Sequence, residues 1–249
     1  MKIQAWGATL AFFFFPFIFL AGCASGSTNL RYHDLFPAAV QSAPIFKGKL
    51  VVTSFNDMRP SLQNSSWASG FIFLLPLLYL NEVQSRPEYG DDPENPFAGI
   101  QLTNEVPYAI QLDLKRRNIF DGIDFIGNTK DTGDAVWKLE GDLVQTKQLF
   151  HYQGYIIPFS ALLWLFGLPA GNVTYDVELI LRLYNLKNNN IVFEKRVLGS
   201  SKTPELYLYS AADKNGRNLL SYYFCQALHG AADSFVHELL QNPPLRLET

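Results

Sequence analysis

Cysteine is scarce in this sequence, which excludes a fold held together by a set of disulfides. Cys23 and Cys225 are the only two cysteines among 249 residues. If Cys23 is modified, the remaining thiol has no partner for an internal disulfide. Cys225 lies between Phe224 and Leu228 in a helical pattern, so we expect a small buried residue there and not a nucleophile.

An excess of positive charge is also missing. Lys and Arg number 20 against 23 Asp and Glu, which gives a formal net charge of −3. The basic cluster Lys115-Arg116-Arg117 falls where a helix is predicted to end, and cations are favourable at that position. Nucleic-acid-binding domains carry a basic patch or stripe, so no nucleic-acid partner is expected. Hydrophobic residues make up 48% of the chain, which excludes a disordered protein.

Recognisable catalytic motifs are absent. The sequence contains no G-x-S-x-G elbow, no P-loop and no H-E-x-x-H pair. The histidines are scattered, and His229 and His237 lie two helical turns apart, too far to share a metal ion without other ligands. The acidic cluster Asp91-Asp92-Pro93-Glu94 is interpreted as a solvated loop. We therefore expect a protein that is not an enzyme, with no catalytic residues, no metal site and no cofactor.

The apolar runs are too short for a membrane-spanning helix, which needs ~20 residues. The run from about Ala8 to Leu20 follows Lys2 and has the length of a signal-peptide core, ~7–15 residues. Small residues at Ala21 and Gly22 suit a cleavage site. Residues 1–22 are therefore predicted to be a signal peptide.

The end of this run, Leu20-Ala21-Gly22-Cys23, resembles the lipobox of bacterial lipoproteins. The resemblance implies cleavage between Gly22 and Cys23 and a covalent lipid, including palmitate, on Cys23. Several acyl chains make such an anchor stable. Family members with Asp after the cysteine stay at the inner membrane, whereas Ala24 here implies the outer membrane, facing the periplasm. The alternative is an ordinary secretory signal that is cut at another bond.

Residues 47–241 are predicted to form one periplasmic α/β (α+β) domain, after a lipidated tether and lead-in over 23–46 and before a tail over 242–249. Hydrophobic periodicity predicts a mixed, mostly antiparallel sheet with two main helices packed on one face. The clearest alternation places Val173, Tyr175, Val177, Leu179, Leu181 and Leu183 on one face of a strand. The predicted strands cover 49–55, 123–127, 136–144, 173–186 and 191–199. The predicted helices run from about 100 to 120 and from about 215 to 241. Pro107 is expected at a first turn of the first helix or at a kink in it.

Two apolar inserts, 57–99 and 153–170, interrupt the regular pattern. Their uncharged blocks "FIFLLPLLYL" (71–80) and "YIIPFSALLWLFGLP" (155–169) are too short or too irregular to span a bilayer. Either they pack together as a second small core, or they form an apolar surface that contacts a membrane or a partner. The candidate contact residues are Phe71, Phe73, Leu77, Tyr79, Tyr155, Leu163, Trp164 and Phe166.

A second resemblance rests on "KLVVTSFND", "LDLKRRNIFDGI", "VWKLEGDLV" and the long hairpin that follows. These segments are similar to a lipoprotein group that includes auxiliary lipoproteins of ABC-type lipid transporters, the curli-secretion lipoprotein and the amino-terminal domain of TolB. In that group the helix ends in an aromatic residue, and a later strand carries a Gly after an acidic residue. Phe120 and Glu140-Gly141 occupy those two places here. The similarity covers about residues 47–241 and implies a binding or assembly module without catalytic residues.

The sequence therefore predicts a non-enzymatic, lipid-anchored periplasmic binding or assembly module of an envelope transport or secretion machine. Its expected partners are the membrane, through the anchor, and other envelope proteins. The alternative is a lipid- or glycolipid-handling lipoprotein, in which the two apolar blocks line a groove for a lipid ligand.

The anchor can be tested by Cys23→Ala. Without the thiol no lipid can be attached, so we expect unprocessed precursor to accumulate. Membrane fractionation with mass spectrometry of the intact protein measures this. A mature-sized variant that still fractionates with the outer membrane would contradict the lipoprotein interpretation.

Overall fold

The structure of the protein, a computed structural model, describes residues 43–61, 64–65, 80–89, 97, 99–153, 166–205 and 219–243. The strands are β1 (Phe46–Thr53), β2 (Asn56–Asp57), β3 (Asn64–Ser65), β4 (Leu80–Gln84), β5 (Phe120–Gly127), β6 (Trp137–Tyr152), β7 (Gly171–Asn185) and β8 (Asn190–Lys202). The helices are α1 (Leu102–Arg116) and α2 (Leu219–Gln241), and a short 3-10 turn covers Pro87–Tyr89.

Strand β6 organises the sheet, because most of the other strands pair with it. Along one edge it pairs in turn with β1, β2 and β4. Along the other edge it pairs with β7, from Trp137 opposite Asn185 to Tyr152 opposite Gly171. At ~3.3 Å per residue, β6 is roughly 50 Å long. It therefore connects two distant ends of the domain.

The predicted fold class is confirmed. The pairs β1–β5, β1–β6 and β2–β6 are parallel, and the remaining pairs are antiparallel. Both helices pack on the same face of this mixed sheet, α1 against β5 and α2 against β7 and β8. The hairpin of β7 and β8 follows the predicted ranges closely.

The core lies between the sheet and the two helices. Every second residue of β7 from Gly171 to Asn185 is buried, so the predicted apolar face is confirmed. Helix α2, which falls within the range predicted for the second helix, contributes a stripe of buried residues at helical spacing, namely Phe224, Leu228, Ala231, Phe235 and Leu239. Gly199 of β8 permits this close packing, because an added Cβ would lie 1.8 Å from the carbonyl oxygen of Ala227.

Proline at position 107 joins α1 to the end of β1. Pro107 lies inside the helix, beyond its first turn, and has no N–H to donate to the carbonyl of Thr103. The Phe55 backbone N–H donates to that carbonyl instead, at 2.9 Å. The missing helical hydrogen bond is therefore replaced by one that fixes the helix against the sheet.

The connection from β5 to β6 crosses β1 on the face without helices. Since β1, β5 and β6 are parallel and α1 occupies the other face, a right-handed crossover requires this path. Val51 of β1 points away from the helices and is still buried. Lys49, on the same face, contacts Asp134 of the connection at 3.1 Å. We call residues 128–136 the crossover loop.

The segment predicted to be an irregular insert, 57–99, contains ordered elements, namely β3, β4 and the 3-10 turn. A buried arginine connects it to β6. Arg59 forms two hydrogen bonds of 2.9 Å to the carboxylate of Asp57, and it also contacts Glu88 at 2.6 Å and the Thr146 hydroxyl at 2.7 Å. Burial opposes the charge on Arg59, but these hydrogen bonds leave the pKa of the guanidinium raised.

Arg59→Ala tests how much this network stabilises the fold. It removes the partner of a buried carboxylate, Glu88, so we expect the free energy of unfolding to fall by ~3–5 kcal/mol. The matched control is Arg196→Ala, which breaks an exposed pair with Glu178 and should cost ~0–1 kcal/mol. Urea denaturation measures both. Equal losses for the two variants would contradict the structural role of the buried network.

Candidate functional site

The apolar block 71–80 of the first insert ends, and the second insert begins, at the same place in the sheet, where β6 ends and β7 begins. Leu80 of β4 is opposite Tyr152, and Tyr152 is also opposite Gly171 of β7. The Gln153 N–H donates to the Ala170 carbonyl at 2.9 Å and closes the base of the second insert. We call this region, defined by Leu80, Tyr152, Gln153 and residues 166–171, the insert end.

An exposed apolar side chain lies at the insert end. Phe166 is 82% exposed and Leu168 is 39% exposed. Gly167 between them has a φ of +84°, a left-handed conformation that favours glycine. Phe166 is the most exposed large hydrophobic side chain among the described residues, and it adjoins Leu168 and an uncharged apolar run, so this position is a candidate contact point.

Phe166 is the predicted contact residue that the structure describes. Phe71, Phe73, Leu77, Tyr79, Tyr155, Leu163 and Trp164, together with Gly22 and Cys23 of the cleavage and lipidation site, lie outside the described residues. Leu168 was not among the predicted contacts, although the uncharged run 155–169 includes it and could have indicated it.

The sheet beneath the insert end is closely packed. Phe97, Tyr175 and Phe224 form an aromatic cluster with ring centroids 5.2–6.2 Å apart. Burial raises the pKa of the Tyr175 hydroxyl well above its usual value, and Gln148 donates to its oxygen at 3.1 Å. Phe97 belongs to the first insert, so this part of the insert lies in the main core.

The face of the sheet without helices is rich in paired charges. Arg182 contacts Asp142 at 2.7 Å and Glu194 at 3.0 Å, and Lys138 contacts Glu140 at 2.7 Å. Neighbouring strands place Arg182 beside its two carboxylates, as cross-strand pairs do, whereas Lys138 and Glu140 lie two residues apart on β6. This face is therefore suited to solvent, in contrast to the insert end.

Two groups with catalytic potential lie in the described ranges, Cys225 and the cluster around His229. Burial raises the pKa of the Cys225 thiol to about 12, so it is not a nucleophile at neutral pH. Asp113, His229 and Asp233 lie near one another, but the two carboxylates face different nitrogens of the His229 ring, at 2.9 and 3.7 Å. Arg117 bridges both carboxylates. The group therefore joins α1 to α2, and one ligand atom from each of Asp113, His229 and Asp233 lies within 4.8 Å of the others, a spacing that a metal ion could use.

Neither α1 nor α2, the helices in the described ranges, is long and apolar enough to cross a membrane.

Comparison with known proteins gives distant structural likenesses. No family model matches the chain, and no curated protein matches it. A Xanthomonas campestris protein of family DUF330 is 12% identical, with 83% of this chain and 91% of that chain covered and a TM-score of 0.41. A hypothetical protein of Chlamydia trachomatis is 10% identical (79% and 98% covered, TM-score 0.38). A Helicobacter pylori protein described as a neuraminyllactose-binding hemagglutinin homolog is 11% identical (85% and 91% covered, TM-score 0.40). With identities and TM-scores this low, the likenesses assign neither a family nor a function.

Phe166→Asp tests whether this side chain is free of the core. A charge placed in solvent should change the free energy of unfolding by no more than ~0.5 kcal/mol. The control Phe224→Ala empties a buried site and should cost ~3–5 kcal/mol, or about 10 °C at ~2–4 °C per kcal/mol. Thermal melting of the two variants measures the difference. A large loss for Phe166→Asp would show that the ring is covered.

Proposed function

We propose that the protein is a non-enzymatic outer-membrane lipoprotein that acts as a periplasmic binding or assembly module and contacts its envelope partner through the insert end. The observation that carries this proposal is the exposed Phe166 at the base of two uncharged apolar segments. Contiguous exposed apolar surface marks protein or membrane contact sites in soluble domains, and here Phe166 and Leu168 adjoin uncharged apolar segments.

The positions of the two ends of the sheet support the proposal. The segment that follows Cys23 enters β1 at Phe46, and Leu50 is opposite Trp137, the first residue of β6. The insert end lies at the last residue of β6, roughly 50 Å away at ~3.3 Å per residue. The segment that carries the lipid on Cys23 would therefore join the domain at the end opposite the insert end, which leaves the insert end available to a partner.

The composition of the inserts also supports an apolar contact. Neither 66–80 nor 154–169 contains a charged residue. Interface cores are depleted of charge and enriched in aromatic side chains. By contrast, the helix-free face of the sheet carries paired charges, so the insert end is the favoured contact region of the two.

The alternative function is the handling of a lipid or glycolipid, with the apolar blocks 71–80 and 155–169 lining a groove. The aliphatic and aromatic composition of both blocks favours it, since ligand pockets are lined by such side chains. Native mass spectrometry of the purified protein separates the two functions. A lipid that copurifies in stoichiometric amount favours the groove, and its absence favours the binding module.

Site-specific photo-crosslinking in cells tests the proposed contact directly. A photo-reactive amino acid at position 166 of the full-length lipoprotein should give a discrete crosslink to an envelope component, identified by mass spectrometry. The matched control is position 198, because Leu198 is 59% exposed but lies on the helix-free face. The proposal fails if position 166 gives nothing above background, or if both positions give the same products.

A further inference from the structure

A polar cleft lies beneath the crossover loop, far from the insert end. It has a volume of about 390 Å³, within the ~300–1,000 Å³ range of small-molecule sites. Its walls come from Thr53 and Ser54 at the end of β1, from the start of the crossover loop, and from Lys138 and Glu140 of β6. The end of β1 and the loop that follows β5 therefore face each other across it.

The topology explains why a cleft exists here. Parallel strands are normally connected by a crossover of about a dozen or more residues, usually an α-helix. The crossover loop is shorter and contains no helix, so it passes over β1 without covering it closely. Ligands of open parallel sheets bind beyond the carboxyl ends of the strands, where connections leave in opposite directions. Here α1 leaves the end of β1 on one face, and the crossover loop leaves β5 on the other.

The lining carries hydrogen-bonding side chains without a hydrogen-bond partner among the residues that the structure describes. The side chains of Asn128, Thr129 and Thr132 border the cleft and form no side-chain hydrogen bond with the described part of the chain. Gly127 has a φ of +58°, and this conformation turns the loop outward at the end of β5. Hydroxyl and amide groups can both donate and accept hydrogen bonds, so they suit a polar ligand.

The charges in the cleft are already paired with each other. Lys138 and Glu140 contact one another at 2.7 Å, and the Lys138 ammonium lies 4.9 Å from the centre of the Tyr184 ring. An anion would meet the carboxylate of Glu140, and a cation would meet Lys138 and the rim residue Lys130. A neutral hydroxyl-rich molecule can donate to Glu140 and accept from Lys138, and hydrogen bonds to charged groups are the stronger kind.

We infer that this cleft binds a neutral sugar ring, held by the Lys138–Glu140 pair and by the free side chains of the crossover loop. This site is separate from the proposed contact at the insert end, and it stands whether or not that contact is found.

Hydrogen–deuterium exchange of the full-length lipoprotein in detergent tests the inference. Glucose, galactose and N-acetylglucosamine are added one at a time at millimolar concentrations, and inorganic phosphate is added separately as an anionic comparator. We expect at least one sugar to slow exchange in residues 126–132 and 138–140, with a saturable concentration dependence. Slower exchange with phosphate and not with a sugar, or no change with any of the three sugars, would overturn the inference.

Glu140→Gln provides the matched variant. It replaces a charged hydrogen-bond acceptor by a neutral one, so we expect the sugar to bind about tenfold more weakly. The control is Glu194→Gln. Glu194 also lies on the helix-free face of the sheet, but it pairs with Arg182 outside the cleft, so this change should leave sugar binding unchanged. Thr132→Val, in the loop and outside the sheet, is a second test if Glu140→Gln lowers the melting temperature. Wild-type affinity in both cleft variants would contradict the assignment.

Discussion

Continuous hydrogen bonding along β6 is the constraint on which the rest of the structure depends. One edge of this strand receives β7 over its whole length, and the other receives β1, β2 and β4 one after another. The first insert is thereby part of the sheet, since β4 extends the pairing that β1 begins. The insert end and the entry of the chain at Phe46 lie at opposite ends of the domain because β6 separates them. The crossover loop must pass over β1 because β5 and β6 lie on either side of that strand.

The elements that could be predicted from the sequence are those whose burial differs between two faces. Strand β7 alternates from Val173 to Leu183 because helices cover one face and solvent the other. The second half of β6 was missed, since after a bulge near Leu143 it places Thr146 and Gln148 on the buried face. Those residues are polar because they contact Arg59 and Tyr175. Only the tertiary structure reveals these partners, so no local pattern could have predicted a strand there.

The candidate sites also differ in how far the sequence could predict them. The uncharged runs left a second small core and an apolar contact surface both open, and Phe166, the candidate contact residue that the structure describes, is exposed. The cleft beneath the crossover loop could not be predicted, because its lining comes from three separate segments of ordinary polar composition. The Asp113–His229–Arg117 group was also invisible in the sequence, since α1 and α2 are more than a hundred positions apart. Its effect is to hold the two helices together on one face of the sheet.

We propose that the sheet built on β6 folds without residues 154–165, so that this segment serves a contact and not the stability of the fold. Replacing residues 154–165 by a short Gly-Ser linker tests it, because Gln153 and Ala170 already form a closed base. The account predicts that the melting temperature stays within ~2–4 °C of the wild type, a change of ~1 kcal/mol for a domain of this size. A loss of about 10 °C or more would show that the insert belongs to the core.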